Sequence, residues 1–302
     1  MKILITGSAG FIGSALTEFL KKKDIKIVEY DIKDNPKDDV RDFLRLKKKI
    51  SKVDGVIHLA AVTRARHAQE NPKLCIETNI GGTANVLEVI RELAEKKRPW
   101  LIFTSSREVF GKPKILPATE EFPKNPINVY GVTKLAGEEL CRIYSESYGL
   151  IIRVLRLANV YTGKNDQLDR VIPKFIIRAA KNEDLVINGK GKEILDFIHI
   201  TDVIQGTWSC VLDIEKRKKL YDDFNLATGR PTSLKELAEI IIRETKSKSK
   251  IKYRPAFSFE VDRFFGDSQK AKKILKFKPC VEVREGIRLA IDEFKKEKII
   301  KA

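Results

Sequence analysis

Lys2-Ile3-Leu4-Ile5-Thr6-Gly7-Ser8-Ala9-Gly10-Phe11-Ile12-Gly13 is the stretch that decides the fold. Lys2 to Thr6 reads as a short apolar strand that runs straight into a GxxGxxG turn, with a helix expected over 11–23. Glycine at these spacings permits the tight turn. It also lets a pyrophosphate approach the helix N-terminus, where free N–H groups and the helix dipole favour negative charge. A second strand is expected over 25–30, and Asp31 follows it 18 residues past Gly13, the place of a ribose-binding acid. An acceptor there repels a 2′-phosphate and the glycine loop holds no arginine, so the expected cofactor is NAD rather than NADP. Asp39 and Val40 then fall where an adenine ring needs an edge acceptor and an apolar wall.

Outward from this turn the chain keeps alternating short apolar runs with longer amphipathic ones. Val56 to Ala60 and Trp100 to Thr104 are apolar on both pleat faces, as in a buried parallel strand, and Leu150 to Leu157 continues the series. This is the pattern of an α/β fold, a Rossmann-type doubly wound parallel sheet. The first lobe is expected over 1–160 and a smaller C-terminal α/β substrate-binding lobe over 161–302, with the chain re-entering the first lobe near 195–214. Asn71-Pro72 is a helix start, Asn as cap and Pro in the first turn. The helix it opens, expected over 72–95, carries Ile76, Ile80, Ala84, Leu87, Ile90 and Ala94 on one face and Val86, Val89 and Leu93 beside it. That arc is wider than a sheet-facing helix needs, and its second flank is expected to pair subunits.

Composition narrows the function. The 302 residues carry 59 Lys+Arg against 42 Asp+Glu, a net charge of +17. The excess is spread in short runs such as Lys21 to Lys23 and lacks the clustered basic face of a nucleic-acid module, so no nucleic acid is expected as partner. A positive field does suit an anionic small substrate. No run approaches the ~20 apolar residues of a membrane span, and the opening residues lack a secretory h-region; a cytoplasmic protein without membrane attachment is expected. Cys75, Cys141, Cys210 and Cys280 lie 66, 69 and 70 residues apart, and His58, His67 and His199 form no HxxxH, so no metal is expected.

Tyr130 and Lys134 form a YxxxK pair on an expected helix, which stacks both side chains on one face. An ammonium beside a phenol favours phenolate and draws the Tyr130 pKa towards that of a working base. Ser106, 24 residues earlier at the end of a strand, completes the set by hydrogen-bonding the same substrate hydroxyl.

At this point the sequence strongly resembles the extended short-chain dehydrogenase/reductase superfamily, in particular its NAD-dependent nucleotide-sugar epimerases and dehydratases, with UDP-glucose 4-epimerase-like proteins nearest. The resemblance runs through the glycine loop, Asp31, His58-Leu59-Ala60-Ala61, Asn79-Ile80-Gly81-Gly82-Thr83, Ser105-Ser106-Arg107-Glu108-Val109-Phe110-Gly111, Tyr130 to Lys134, Arg156-Leu157-Ala158-Asn159-Val160-Tyr161, Asp196 to Asp202 and Phe224 to Gly229. It implies that Gly7, Gly10, Phe11, Ile12, Gly13, Asp31, Asp39, Val40, Leu59, Ala60, Ala61, Asn79, Tyr130 and Lys134 hold NAD. Ser106, Tyr130 and Lys134 would be catalytic, and Arg107, Glu108, Asn159 and Arg263 would meet the substrate, a UDP-hexose. The family's habit of pairing helices across a two-fold implies a homodimer.

Three positions depart from the family pattern. Leu195 and Phe257 stand where arginines commonly support the nucleotide end, and neither can replace a bidentate diphosphate contact. Arg254, Arg263 and Lys192 are the nearby cations expected to compensate. Arg107 stands where dehydratases place an Asp. The reading that results is a 4-epimerase of the UDP-glucose/UDP-galactose type acting through a 4-keto intermediate. The alternatives are a nucleotide-sugar 4,6-dehydratase, an NAD-dependent dehydrogenase of a related sugar or small substrate, and a silent NAD-binding module. Retention of Ser106, Tyr130 and Lys134 together counts against the last.

Overall fold

The computed structural model describes residues 1–163, 165–216 and 219–301. In chain order, the first half is β1 (Lys2–Thr6), α1 (Phe11–Lys21), β2 (Lys26–Tyr30), α2 (Phe43–Ile50), β3 (Gly55–His58), α3 (Ala65–Glu70), α4 (Pro72–Ile76), α5 (Gly82–Glu92), β4 (Trp100–Ser106), α6 (Val129–Tyr148), β5 (Ile152–Leu157) and β6 (Asn159–Tyr161). The second half is α7 (Val171–Ala180), β7 (Leu185–Asn188), β8 (Ile194–His199), α8 (Ile200–Lys216), β9 (Tyr221–Leu226), β10 (Pro231–Ser233), α9 (Leu234–Glu244), β11 (Ile251–Arg254), α10 (Gln269–Leu275) and α11 (Val283–Lys296).

Six parallel strands form the main sheet in the order β2-β1-β3-β4-β5-β9. Successive side chains along a strand face opposite sides of the sheet, so a strand covered on both sides must be mainly apolar. β1 shows the consequence: Ile3 and Ile5 join a core with Leu16, Leu20, Val203 and Phe224, and Leu4 joins another with Leu46, Ile50, Val86 and Leu87. Helices α1 and α8 cover the first face, and α2, α5 and α6 the second. The order reverses between β1 and β3, and such a switch point opens a crevice at the carboxyl ends of the strands.

The second lobe has its own core of Phe175, Ile187, Phe197, Leu237, Ile241 and Phe294. It is built on a three-stranded sheet, β10-β8-β6, and a two-stranded one, β11-β7. The chain re-enters the first lobe with α8, inside the expected 195–214 but for the first residues of that range, and goes on beyond it. β8 belongs to the second lobe's sheet, and α8 leads into β9, which pairs with β5 from Ile152↔Tyr221 to Leu157↔Leu226. β6 already lies outside the main sheet.

The helix expected over 72–95 is interrupted and shorter. A π-type turn, Glu77–Gly81, separates α4 from α5, and the helix ends at Glu92 because Leu93 is extended. Among the described residues no helix is long and apolar enough to cross a membrane.

Candidate active site

The crevice at the switch point is a cavity of about 770 Å³ that runs from the glycine loop to the second lobe. Its first arm is shaped by close backbone approach. Gly7 has φ +76°, and a Cβ on Gly13 would sit 2.0 Å from the Gly7 carbonyl oxygen, so any side chain there would break the turn. The N-cap of α1, Gly10, offers no side-chain hydrogen bond, and the first turn holds no acid, so side chains leave the helix N-terminus to an anion.

Asp31 is buried and fixed, accepting from Ala9 N (3.0 Å) and from Lys33 N (2.8 Å). Phe11, Ile12, Val40, Leu59, Ala60 and Ala61 line the same arm. Gly82 lets α5 approach this wall, since a Cβ there would lie 2.6 Å from Val40 Cγ2. Two of the expected cofactor residues stand differently. Both Asp39 carboxylate oxygens are taken by Arg41, which holds this acid below its ordinary range. Asn79 lies behind the cavity wall, where its Oδ1 accepts from Val62 N (2.7 Å) and its Nδ2 donates to Val62 O (3.0 Å). The π-type turn carries Asn79, so the irregularity in the helix serves to clamp the loop after β3.

Helix α6 is capped by Asn128, whose side chain accepts from Gly131 N (2.8 Å). The helix comes unusually near β4: a Cβ on Gly137 would lie 2.5 Å from Phe103 Cζ, and one on Gly131 would lie 2.7 Å from Glu108 O. Lys134 is thereby buried and donates to the Thr104 carbonyl (2.7 Å). Its Nζ lies 5.9 Å from the centre of the Tyr130 ring. Ser106 borders the cavity beside Tyr130 and lowers the Tyr130 pKa, while its Oγ accepts from Glu108 N (3.3 Å).

The phenol does not follow the expectation of a lowered pKa. Burial and the charge of Glu108 raise Tyr130 well above its ordinary value, and Ser106 only opposes them. The ammonium is occupied with the Thr104 carbonyl and is itself pushed down to about 8 by burial.

Beneath Ser106 lies a buried ion cluster. Ser105 Oγ donates to Glu138, and Arg156 pairs with Glu138 (2.8 Å) and with Asp223 (2.7 Å). It ties α6, β4, β5 and β9 together directly under the reacting groups.

The second arm holds the candidate substrate residues. Arg107 Nη2 pairs with Glu108 Oε1 (2.9 Å), and its Nε donates to Asn159 Oδ1 (3.1 Å). Glu108 also accepts from Asn128 Nδ2 (2.8 Å). Leu195 and Phe257 both line this arm. The expected substitutes for the missing arginines do not: Arg263 is exposed, bridged by backbone to Ile194, and it lies outside the cavity lining, as do Arg254 and Lys192.

Sequence reasoning missed the cations that are there. Arg66 lies 4.8 Å over the Phe257 ring, Arg64 pairs with Asp169 (2.7 Å), Arg170 stands at the N-cap of α7, and Lys174 lies within that helix. A signal existed for the first two, because residues just past a parallel strand's carboxyl end border the crevice, and Arg64 and Arg66 follow β3. Among the described residues no three His, Cys, Asp or Glu side chains gather to hold a metal ion.

A glycine cradle with no room for side chains, a fixed acid after β2 and a Ser-Tyr-Lys set between β4 and α6 fit a dinucleotide and define an extended short-chain dehydrogenase/reductase. The chain belongs to the family described as GDP-mannose 4,6 dehydratase, whose model matches residues 4–290. It is 33% identical to a putative UDP-glucose 4-epimerase of Methanocaldococcus jannaschii over 97% of this chain and 98% of that one. A UDP-glucuronate 4-epimerase of Thermodesulfobacterium geofontis is 31% identical, over 96% of this chain and 94% of its own length. A UDP-glucuronic acid decarboxylase of Danio rerio matches at 27%, over 98% of this chain and 73% of its own length. The solved UDP-glucuronic acid 4-epimerase of Bacillus cereus, in complex with UDP-glucuronic acid and NAD, superposes with a TM-score of 0.86 at 26% identity, covering 98% of this chain and all of that one.

Burial of Lys134 makes a pH prediction. Its value of about 8 lies below the ~10.4 of an unfolded lysine. Between these values the unfolded chain binds the extra proton, so this residue adds stability as pH rises. The stability difference between the wild type and Lys134→Met, read from urea midpoints, is expected to shift in favour of the wild type from pH 8 to pH 10. A difference that stays flat or moves the other way contradicts the burial of the ammonium.

Proposed function

We propose that the protein is an NAD-dependent 4-epimerase of a nucleotide sugar, a UDP-hexose. The observation that carries this reading is the Ser106-Tyr130-Lys134 set at the inner end of the cavity with Arg107 beside it. Tyr130 would take the proton of the sugar 4-hydroxyl once ionised, a change that burial and Glu108 oppose and that the positive charges of Lys134 and of a bound nicotinamide would favour, while Ser106 would hold the sugar hydroxyl in line. Lys134, fixed on Thr104 O, holds positive charge near the phenol as the proton arrives and leaves. The chemistry that bound NAD supplies is acceptance of the C4 hydride and its return. The glycine cradle and the Asp31 carboxylate would hold that cofactor.

A 4-keto sugar could instead lose its 6-hydroxyl, which needs an acid to protonate the leaving oxygen. A guanidinium keeps its proton at neutral pH and is no such acid. The neighbouring Glu108 is committed to Arg107 and Asn128. Return of hydride to the other face of the sugar is then the available outcome. Incubation with UDP-glucose and UDP-glucuronate in deuterated water tests this: the expected product is a 4-epimer with no deuterium at C4. A 4-keto-6-deoxy sugar, or a pentose carrying deuterium at C5, would show that elimination or decarboxylation is the true reaction.

The same reading includes a homodimer. The flank of the 72–95 helix expected to pair subunits is not free to do so, since Val86 and Val89 are fully buried in the first lobe's core; it is α4 and α6 that leave Leu74, Ile76, Val132, Ile143 and Tyr148 exposed, an apolar set that a second copy would bury. Sedimentation at micromolar concentration is expected to give about twice the 34.4 kDa chain mass. A single chain mass would contradict it.

A further inference from the structure

Arg107 is the buried arginine among the described residues that line the cavity. It opens a 3₁₀ turn, Arg107–Phe110, directly after Ser106, so its side chain leaves the backbone one residue from the reacting groups. The family resemblance places it among the substrate-contacting residues without saying which group it meets, and its contacts are incomplete. Nε is satisfied by Asn159 and Nη2 by Glu108, and the guanidinium carbon lies 5.8 Å from the centre of the Phe264 ring. Nη1 is buried and has no hydrogen-bond partner among the described residues.

Buried guanidinium nitrogens are rarely left unpaired, because the cost of removing them from water is recovered only through an acceptor. Glu108 meets Arg107 through one prong of the fork, and it shares its charge with Asn128. Across the arm Leu195 and Phe257 offer Arg107 no hydrogen-bonding group, and the Glu260 carboxyl, which feels the charge of Arg107, is raised by burial. The remaining prong, Nη1, is a charged donor that suits an oxygen of a carboxylate or a phosphate better than a neutral hydroxyl.

We propose that Arg107 is the receptor for an oxyanion of the substrate, either the carboxylate of a nucleotide-linked hexuronic acid or the diphosphate. This rests on the nucleotide-sugar reading above, and it makes the substrate's negative charge a specificity determinant read from the first lobe. Arg107 takes over a task for which the segment over 255–263 offers no cavity-lining arginine.

The test uses the NAD-loaded protein. Calorimetry measures binding of UDP, UDP-glucose and UDP-glucuronate to the wild type, Arg107→Gln and Arg107→Lys, with KM and kcat followed where turnover occurs. Loss of a charge-assisted contact weakens binding by roughly tenfold or more. If the anion is a sugar carboxylate, Arg107→Gln loses UDP-glucuronate selectively and keeps UDP and UDP-glucose within about twofold. If it is the diphosphate, all three weaken together. Arg107→Lys, which keeps charge but not the fork, is expected to restore binding only in part, and it carries the comparison if the glutamine variant does not fold. Wild-type-like binding of all three ligands by a folded Arg107→Gln overturns the proposal, as does a wild type that binds none of them. Because binding is read without turnover, Arg107-dependent binding with no epimerisation would remove the epimerase reading and leave this one standing.

Discussion

The bond from the buried Lys134 ammonium to the Thr104 carbonyl sets the position of the whole reactive centre. It joins the second turn of α6 to the carboxyl end of β4, and everything chemical lies within a few residues of it. Tyr130 is one helical turn before Lys134 and Ser106 two residues beyond Thr104, so a single polar contact brings a base and a positioning hydroxyl to one point. The contact forms because glycine at 131 and 137 removes the side chains that would otherwise hold the helix away from Glu108 and Phe103. A buried ammonium is costly, and its pKa of about 8 records that cost.

The polar layer below explains why the arrangement is rigid. Arg156 enters from β5, Glu138 from α6 and Asp223 from β9, and Ser105 is bonded into the same cluster from β4. Burying such charges does not in itself stabilise a fold much, and removing one partner is what is costly. Its effect is on geometry: four elements distant in sequence share one hydrogen-bonded node under Ser106. The late strand β9 therefore takes part in a site whose reacting residues all precede Leu150.

Much of this was legible in the sequence because local pattern and tertiary role coincide. Strands buried on both faces are mainly apolar, so β1, β3 and the first part of β4 show as short apolar runs, β5 shows as one broken by the buried Arg153 and Arg156, and the glycine loop shows as spacing. Tyr130 and Lys134 share a helix face by simple periodicity. What the sequence hid depended on distant partners. The phenol rises because burial and then Glu108 act on it while the ammonium is engaged elsewhere, and no spacing records that. Asn79 looks like a cofactor contact in a motif, yet its side chain is spent on Val62. β9 reads as half polar, since Asp222 and Asp223 sit in it to meet Lys270 and Arg156. The expected substitutes Arg254, Arg263 and Lys192 neighbour Phe257 and Leu195 in sequence, while Arg66, which stacks on the Phe257 ring, comes from nearly two hundred residues earlier.

The central claim is that the Tyr130 hydroxyl, beside Ser106 and placed by Lys134, moves the proton on which turnover depends. The measurement that reaches it most directly is the turnover of Tyr130→Phe on the nucleotide sugar that the wild type converts, with cofactor content and folding checked on the same sample. Removing the hydroxyl while keeping the ring is expected to lower kcat by a factor on the order of 10² or more, with the fold and the bound cofactor intact. Turnover within a few-fold of the wild type would contradict the account.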